Sequence, residues 1–467
     1  MHRKAIKQIG KRRVMSPTRQ IILSFLLVIL IGAVLLSMPM ANRDDPLSLM
    51  DHLFVATSVT CVTGLLPISI VEQYTIWGQL VILVLIQIGG LGFLTFLYLL
   101  LSKIQKKLAL RQKIVLQEML NQPSISDSSL MVRRILSYTF TCQGVGAALL
   151  MLVFVPRYGA LRGSYYSIFH AISSFTNAGI DLFGTTSLAS YQDHSLMLLI
   201  TAGLVMLGSL GFIVWFDVVH CFWKQRSSAY AFSYRRFFLR LSLHSKIVII
   251  MSIFLTLSAT LIVFFAERTN PQTIGNLSIL GQLQNSFFLS VSSRTAGFTT
   301  FPIAGLQMGT KLILWVYMFI GGSPASTAGG IKTTTFMITV LMVYNIYKGK
   351  REVQLFGRRI PRRLMIRSFA IISMAIVVIF TALIIVSFSE QMPFFDVAVE
   401  VVSAFTTVGF SHQVTPFLSS LGSIVILILM FIGRIGPITM LISFVNKSHR
   451  QKEKKEIGYP DGELLLG

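Results

Sequence analysis

Eight runs of roughly 17 to 27 residues, none containing a charge, recur along this chain: Ile21–Met40, Thr75–Leu101, Ile135–Val155, Ser195–Phe216, Ile247–Ala266, Leu312–Ile331, Ser368–Ser389 and Phe417–Gly433. As helices, each is long enough to cross about 30 Å of hydrocarbon. With 53% hydrophobic and 13% charged residues, the chain reads as a multi-pass membrane protein. A basic stretch precedes the first run and no small-residue cleavage site follows it, so that run reads as a retained first span.

The net charge of +23 would suggest nucleic acid in a soluble protein, but the distribution of charge argues otherwise. Of 41 Lys and Arg residues, 33 fall in five segments: the N-terminus to Arg19, Lys103–Arg134, Lys224–Lys246, Lys348–Arg367 and the tail from Lys447. Two long runs separate each segment from the next, so the positive-inside rule puts all five, and both termini, in the cytoplasm. Topology and contact with anionic membrane lipid account for them without nucleic acid. The opposite loops are acidic, with Asp44, Asp45, Asp51, Glu72, Asp181, Asp193, Glu267, Glu390, Asp396 and Glu400, and such a face attracts cations. Cys61, Cys142 and Cys221 lie far apart in apolar surroundings and read as packing residues, with no metal site.

Between paired runs lie four segments too short to cross: "DHLFVATSVTCVTGL", "SIFHAISSFTNAGIDLF", "NSFFLSVSSRTAGFTTF" and "DVAVEVVSAFTTVGFS". Each ends in small and hydroxyl residues and one glycine, Gly64, Gly179, Gly297 or Gly409, at intervals of 115, 118 and 112 residues. The next run carries a second glycine cluster each time: "IGGLGF", "LGSLGF", "IGGSPASTAGGIK" and "IGRIGPIT". Internal repetition of this kind outweighs any single motif.

Irregular backbone at membrane depth is tolerated where it is buried in protein or lines a watery cavity. Four half-helices, each followed by an extended strand, therefore belong around one axis. The expected ion-binding strands are Val62, Thr63 and Gly64; Asn177, Ala178 and Gly179; Thr295, Ala296 and Gly297; and Thr407, Val408 and Gly409. Their carbonyl oxygens can replace the water shell of a cation, aided by the negative C-terminal ends of the half-helices. Hydroxyls of Thr60, Thr63, Thr176, Thr295, Thr406 and Thr407 can add oxygens or brace the backbone. The expected fold class is an all-α integral membrane protein with eight spanning helices and four re-entrant half-helices. These form four tandem membrane-pore-membrane units, arranged pseudo-fourfold around a central pore. The divisions are a basic N-terminus (1–18), units at 19–103, 134–224, 246–347 and 363–446, and a cytoplasmic tail (447–467).

On the four filter segments, "GGSPASTAGGIKTTT" in the third unit and "GRIGPIT" in the fourth, the chain resembles the Trk/Ktr/HKT superfamily of potassium transporters. It is most similar to the KtrB-type membrane subunit of bacterial Ktr systems. The resemblance covers roughly Arg19 to Asn446. It implies potassium uptake across the bacterial cytoplasmic membrane, by a homodimer whose chains each hold their own pathway. It also implies a cytosolic KtrA-type ring that binds the regulatory nucleotide, and leaves open whether sodium stimulates transport. Plant relatives with serine at the first filter glycine permeate sodium; Gly64 leans towards potassium.

The third unit interrupts its second run over 321–335. Glycine costs a helix interior about 1 kcal/mol relative to alanine and proline about 3, so Gly321, Gly322, Ser323, Pro324, Ala325, Ser326, Thr327, Ala328, Gly329 and Gly330 form an intramembrane loop. The resemblance implies that this loop is the gate, moved by the regulatory partner. Lys332 caps the loop or marks its water-accessible end.

Arg434 follows 17 uncharged residues, where a charge costs about 2.5 to 3.5 kcal/mol to insert. It is expected to contact the loop and present a positive barrier when the gate is closed; snorkelling to the cytoplasmic interface is the alternative. Arg294 should turn away from a cation path, with a carboxylate such as Glu400 as partner, and Asp217 should form a cytoplasmic ion pair. No paired carboxylates, nucleophile–base pair or metal-ligand set suggests an enzyme. Two other readings stay open: a sodium or less selective monovalent cation permease, and an unrelated secondary transporter with packing glycines.

Overall fold

The computed structural model describes residues 17–43, 47–92, 128–184, 187–226, 233–350 and 352–436. Within them one order of elements recurs four times. Each repeat opens on a long apolar helix: Pro17–Ser37, Ser128–Tyr158, Leu243–Glu267 and Arg362–Ser389. All four are long and apolar enough to cross a membrane. A half-helix follows in each: Leu49–Cys61, Ala160–Thr176, Ile279–Ser292 and Phe394–Thr406. Local chemistry sets where they begin. Ser48 and Asp51 form a capping box on the first, Ser278 caps the third, and Pro393 precedes the fourth.

The closing helices of the first two repeats depart from the sequence reading, which has continuous second spans broken only in the third unit. Ile76–Leu91 stops at Gly92 and Ser420–Ile435 at Gly436, with φ of +80° and +94°. Ser195–Ser209 and Phe212–Arg226 meet at a bend of 96°, with Gly211 at φ +90° between them. Met308–Phe319 and Thr333–Tyr347 flank the interruption in the third repeat. A left-handed glycine stops a helix without lowering its hydrophobicity, so an uninterrupted apolar run hides the break. Residues 1–16, 93–127 and 437–467, and with them the basic N-terminus, most of the Lys103–Arg134 segment and the tail at 447–467, lie outside the described residues.

Polarity is arranged inside out. Large side chains such as Leu27, Val34, Phe254, Leu261, Val377 and Phe380 are exposed on the long helices, as lipid-facing surface requires. The half-helices instead carry buried hydroxyls, among them Ser58, Thr60, Ser173, Thr176, Ser292 and Ser403. Buried hydroxyls cost free energy unless they are paired, so their partners locate the polar centre of the molecule.

On the basic side, Asp217 forms no ion pair among the described residues, against the sequence reading. Its carboxylate accepts from the Ser242 N–H at 2.9 Å and the Ser245 hydroxyl at 2.5 Å, holding the start of the third long helix. A small hairpin pairs Gln354–Leu355 with Arg358–Arg359. Lys246 sits over Phe356 of its turn, 5.8 Å from the ring centroid.

Candidate functional site

The four half-helices end alike. Val62, Asn177 and Thr407 are left-handed C-caps, and Thr295 takes φ +84° at the matching position. Two residues on, Gly64, Gly179, Gly297 and Gly409 again have positive φ, between +67° and +95°. A left-handed conformation at every second residue turns successive carbonyls towards one side, and only glycine adopts it without steric cost.

These four strands contact one another in a closed cycle. A Cβ on Gly64 would come under 3.0 Å from the Ala178 backbone oxygen, one on Gly179 would meet that of Ala296, one on Gly297 that of Val408, and one on Gly409 that of Thr63. Each glycine thus admits the neighbouring strand where any side chain would strike it.

The second helices press in from outside. A Cβ on Gly89, Gly208 or Gly433 would fall on the backbone oxygen of Thr60, Phe175 or Phe405 respectively, each four residues before its strand glycine. The second glycine cluster therefore lets these helices lie against the half-helix ends.

The segment at 320–332 crosses between repeats. It closes on itself through a parallel bridge of Ile320 with Ile331. Ser323 donates from its N–H (3.0 Å) and hydroxyl (2.9 Å) to the Ser209 oxygen, and the Phe212 N–H donates to Ala325 O at 2.9 Å. The Thr327 hydroxyl donates to Phe175 O at 3.1 Å, and a Cβ on Gly329 would strike the Thr407 hydroxyl. The loop thus touches the ends of two half-helices. Arg434 reaches it, donating to Thr327 O at 2.5 Å and, across the molecule, to Gly89 O at 2.5 Å and Gly90 O at 3.3 Å. Lys332 donates to Ala328 O at 2.7 Å, closing one turn of the same loop.

The family model described as TrkH, cation transport protein, matches residues 3–455. The chain belongs to the TrkH cation transport family. Ktr system potassium uptake protein B of Bacillus subtilis (strain 168) is 38% identical over 452 residues, 97% of each chain. Potassium/sodium uptake protein NtpJ of Enterococcus hirae is 36% identical over 99% of each. The crystal structure of the potassium transporter TrkH from Vibrio parahaemolyticus superposes with a TM-score of 0.68 at 19% identity, covering 92% of this chain and 86% of that one. The fold is shared.

In this TrkH family member Arg294 and Glu400 do not meet, against the sequence reading. Arg294 donates to the backbone oxygens of Ser252 and Gly321 at 3.4 Å each. Glu400 accepts the hydroxyls of Ser411 and Thr415, the latter at 3.0 Å, and so holds the loop beyond Gly409. Backbone oxygens take two of the guanidinium's nitrogens, its buried Nε has no partner among the described residues, and hydroxyls hold the carboxylate.

The six threonine hydroxyls divide. Thr176 and Thr406 donate to the oxygens of Ile172 and Val402, each at 2.7 Å, and Thr295 lies 3.2 Å from the Asn177 amide. Thr60, Thr63 and Thr407 find no hydrogen-bond partner among the described residues.

The sequence reading also passes over four serines. Ser58 and Ser403 accept the N–H groups of Gly64 (3.1 Å) and Gly409 (3.0 Å), and Ser173 accepts that of Ile180 at 3.0 Å. In the third repeat Ser292 donates instead to Phe298 O at 2.6 Å. Three of them stand six residues before their glycine and Ser292 five before, a signal visible only when the segments are aligned on the glycines. Beyond the four glycines opens a cavity of about 740 Å³, which all four line together with Asp181 and His412.

Proposed function

We propose that this chain takes up potassium ions through a channel-like path, with the four glycine strands as its selectivity filter. The observation that carries the reading is the closed cycle of Gly64, Gly179, Gly297 and Gly409, each packed on the next strand's backbone oxygen. Four rings of carbonyls at that point replace the hydration shell of a cation, and the negative ends of four half-helices favour its charge. The unpartnered hydroxyls of Thr60, Thr63 and Thr407 are spare oxygens beside it. No chemical step is required of the chain: the membrane potential supplies about 2.3 kcal/mol per charge per 100 mV. The name of the Bacillus relative supports potassium as the cargo, and that of the Enterococcus relative makes sodium the competing ion to test.

In this reading the loop at 320–332 is the gate, and Arg434, bonded to Thr327, holds it across the path and adds a positive barrier. The four units are the conducting body, within a homodimer in the bacterial cytoplasmic membrane and with both termini cytoplasmic. A cytosolic KtrA-type ring, itself the nucleotide-binding component, moves the gate, and sodium stimulates uptake. The relative's designation as part of a Ktr system supports a partnered assembly. The test is growth of a potassium-uptake-deficient bacterium on limiting potassium, with this chain and a ring partner, comparing wild type with Gly64→Ser. The expected result is rescue by wild type and impaired rescue by the serine variant. Absence of rescue despite confirmed membrane expression and partner assembly would refute the reading.

A further inference from the structure

The cavity beyond the four glycines is lined mostly by small and apolar residues, and Asp181 is the one carboxylate among the described residues lining it. It follows Gly179 by two residues. One carboxylate oxygen accepts the Phe183 N–H at 2.9 Å and the other the Ser187 hydroxyl at 2.7 Å. These uncharged donors fix the carboxylate and leave acceptor sites on both oxygens unused. Three other carboxylates of this face are held by their own loops: Glu267 by Asn270, Thr273 and Gln307, Glu390 by Ser419, Glu400 by Ser411 and Thr415.

No charged side chain contributes to the setting of Asp181, and burial pushes its carboxyl up to about 6. The second titratable group lining the cavity, His412, holds Asp396 at 2.6 Å. Burial and the charge of Lys311 lower its imidazole, and Asp396 raises it. A carboxylate with no cationic partner among the described residues, in a cavity that the four strand glycines also line, is a site for a cation in transit.

We propose that Asp181 is an outer capture site for a monovalent cation, which pairs with the carboxylate before stepping down to the ring of strand oxygens. The proposal rests on the reading of that ring as the ion path. The site raises the local cation concentration at the mouth and takes no part in discrimination within the strands. Its loss therefore changes the concentration dependence of uptake rather than its ceiling.

The test is initial-rate rubidium uptake by cells expressing wild type, Asp181→Asn or Asp181→Glu with a ring partner, over a range of rubidium concentrations at several outer pH values. Wild type should show a KM that rises as outer pH falls through about 6. Asp181→Asn should show a KM raised roughly fivefold at neutral pH and independent of pH, with maximal rate within twofold of wild type, the size expected for losing one half-buried charge at the edge of the cavity. Asp181→Glu should keep the pH response. An unchanged KM in Asp181→Asn, a fall in maximal rate alone, or a pH response that survives the asparagine would overturn the proposal while leaving the uptake reading intact. Absence of rubidium uptake by well-expressed wild type would overturn both. Should the asparagine variant fail to accumulate, a pH-independent KM in Asp181→Glu would overturn the capture site.

Discussion

Replacing Arg434 by glutamine gives a sharp test of the gate. Arg434 makes one hydrogen bond to the loop, at Thr327 O, and two to the first repeat, at Gly89 O and Gly90 O. Only the bond to Thr327 distinguishes a loop lying across the molecule from one drawn aside. A hydrogen bond from a charged donor contributes about 1.5 to 3 kcal/mol net. At about 1.4 kcal/mol per factor of ten, its loss shifts the loop equilibrium roughly 10- to 100-fold towards the displaced arrangement. The loss of a positive charge beside the path acts in the same direction. The assay is rubidium flux into proteoliposomes without any regulatory partner, comparing wild type, Arg434→Gln and Arg434→Lys at matched incorporation. Basal flux should rise at least tenfold in the glutamine variant, with lysine between. If all three gave equal basal flux, Arg434 would be a packing residue and the loop no gate.

Three further outcomes follow from the same contacts. Ser403→Ala leaves the half-buried Gly409 N–H without its acceptor, a penalty of about 1 kcal/mol or more placed on the strand itself; the preference for potassium over sodium in competition uptake should fall about tenfold. Gly433→Ala drives a Cβ onto the Phe405 backbone oxygen, whereas a Cβ on Gly144 meets nothing within 4 Å; melting in detergent should drop by several degrees for the first and hold for Gly144→Ala. Asp181 titrates at about 6 in place of 3.8 because burial disfavours its charge. With the folded value raised, its contribution to stability is present below the ordinary value and lost as pH rises through about 6, so Asp181→Asn should gain melting temperature relative to wild type on going from pH 5 to pH 7.5.

The part of the molecule most legible in its sequence is the part with a repeat. Four glycines at near-equal intervals between apolar runs place the four strands, because a left-handed turn at membrane depth needs glycine and a polar lining. The interruptions at Gly92 and Gly211 are hidden for the opposite reason. In "GLGF" and "SLGF" hydrophobicity continues through the break, and a packing glycine and a helix-ending glycine are spelled the same. The third repeat betrays itself only because proline and hydroxyl residues join its glycines.

Charge was the poorest guide to contact. Arg294, just past the third half-helix, and Glu400, in the fourth, carry opposite signs, yet the first bonds backbone oxygens and the second hydroxyls. Such acceptors are present at every position and leave no mark in the sequence. The serines failed differently: Ser292 stands one residue out of step with Ser58, Ser173 and Ser403, so the regularity appears only once the strand ends are superposed.

The central claim is that the four-strand cycle carries the ion, and its most direct test is rubidium flux through purified protein in liposomes with potassium or sodium as competitor. Wild type should pass rubidium, with potassium competing at far lower concentration than sodium. Alanine at Gly64, Gly179, Gly297 or Gly409, each introducing a Cβ against the next strand's oxygen, should abolish flux or flatten that preference. Flux and ion preference unchanged in all four variants would contradict the account and put the path elsewhere in the molecule.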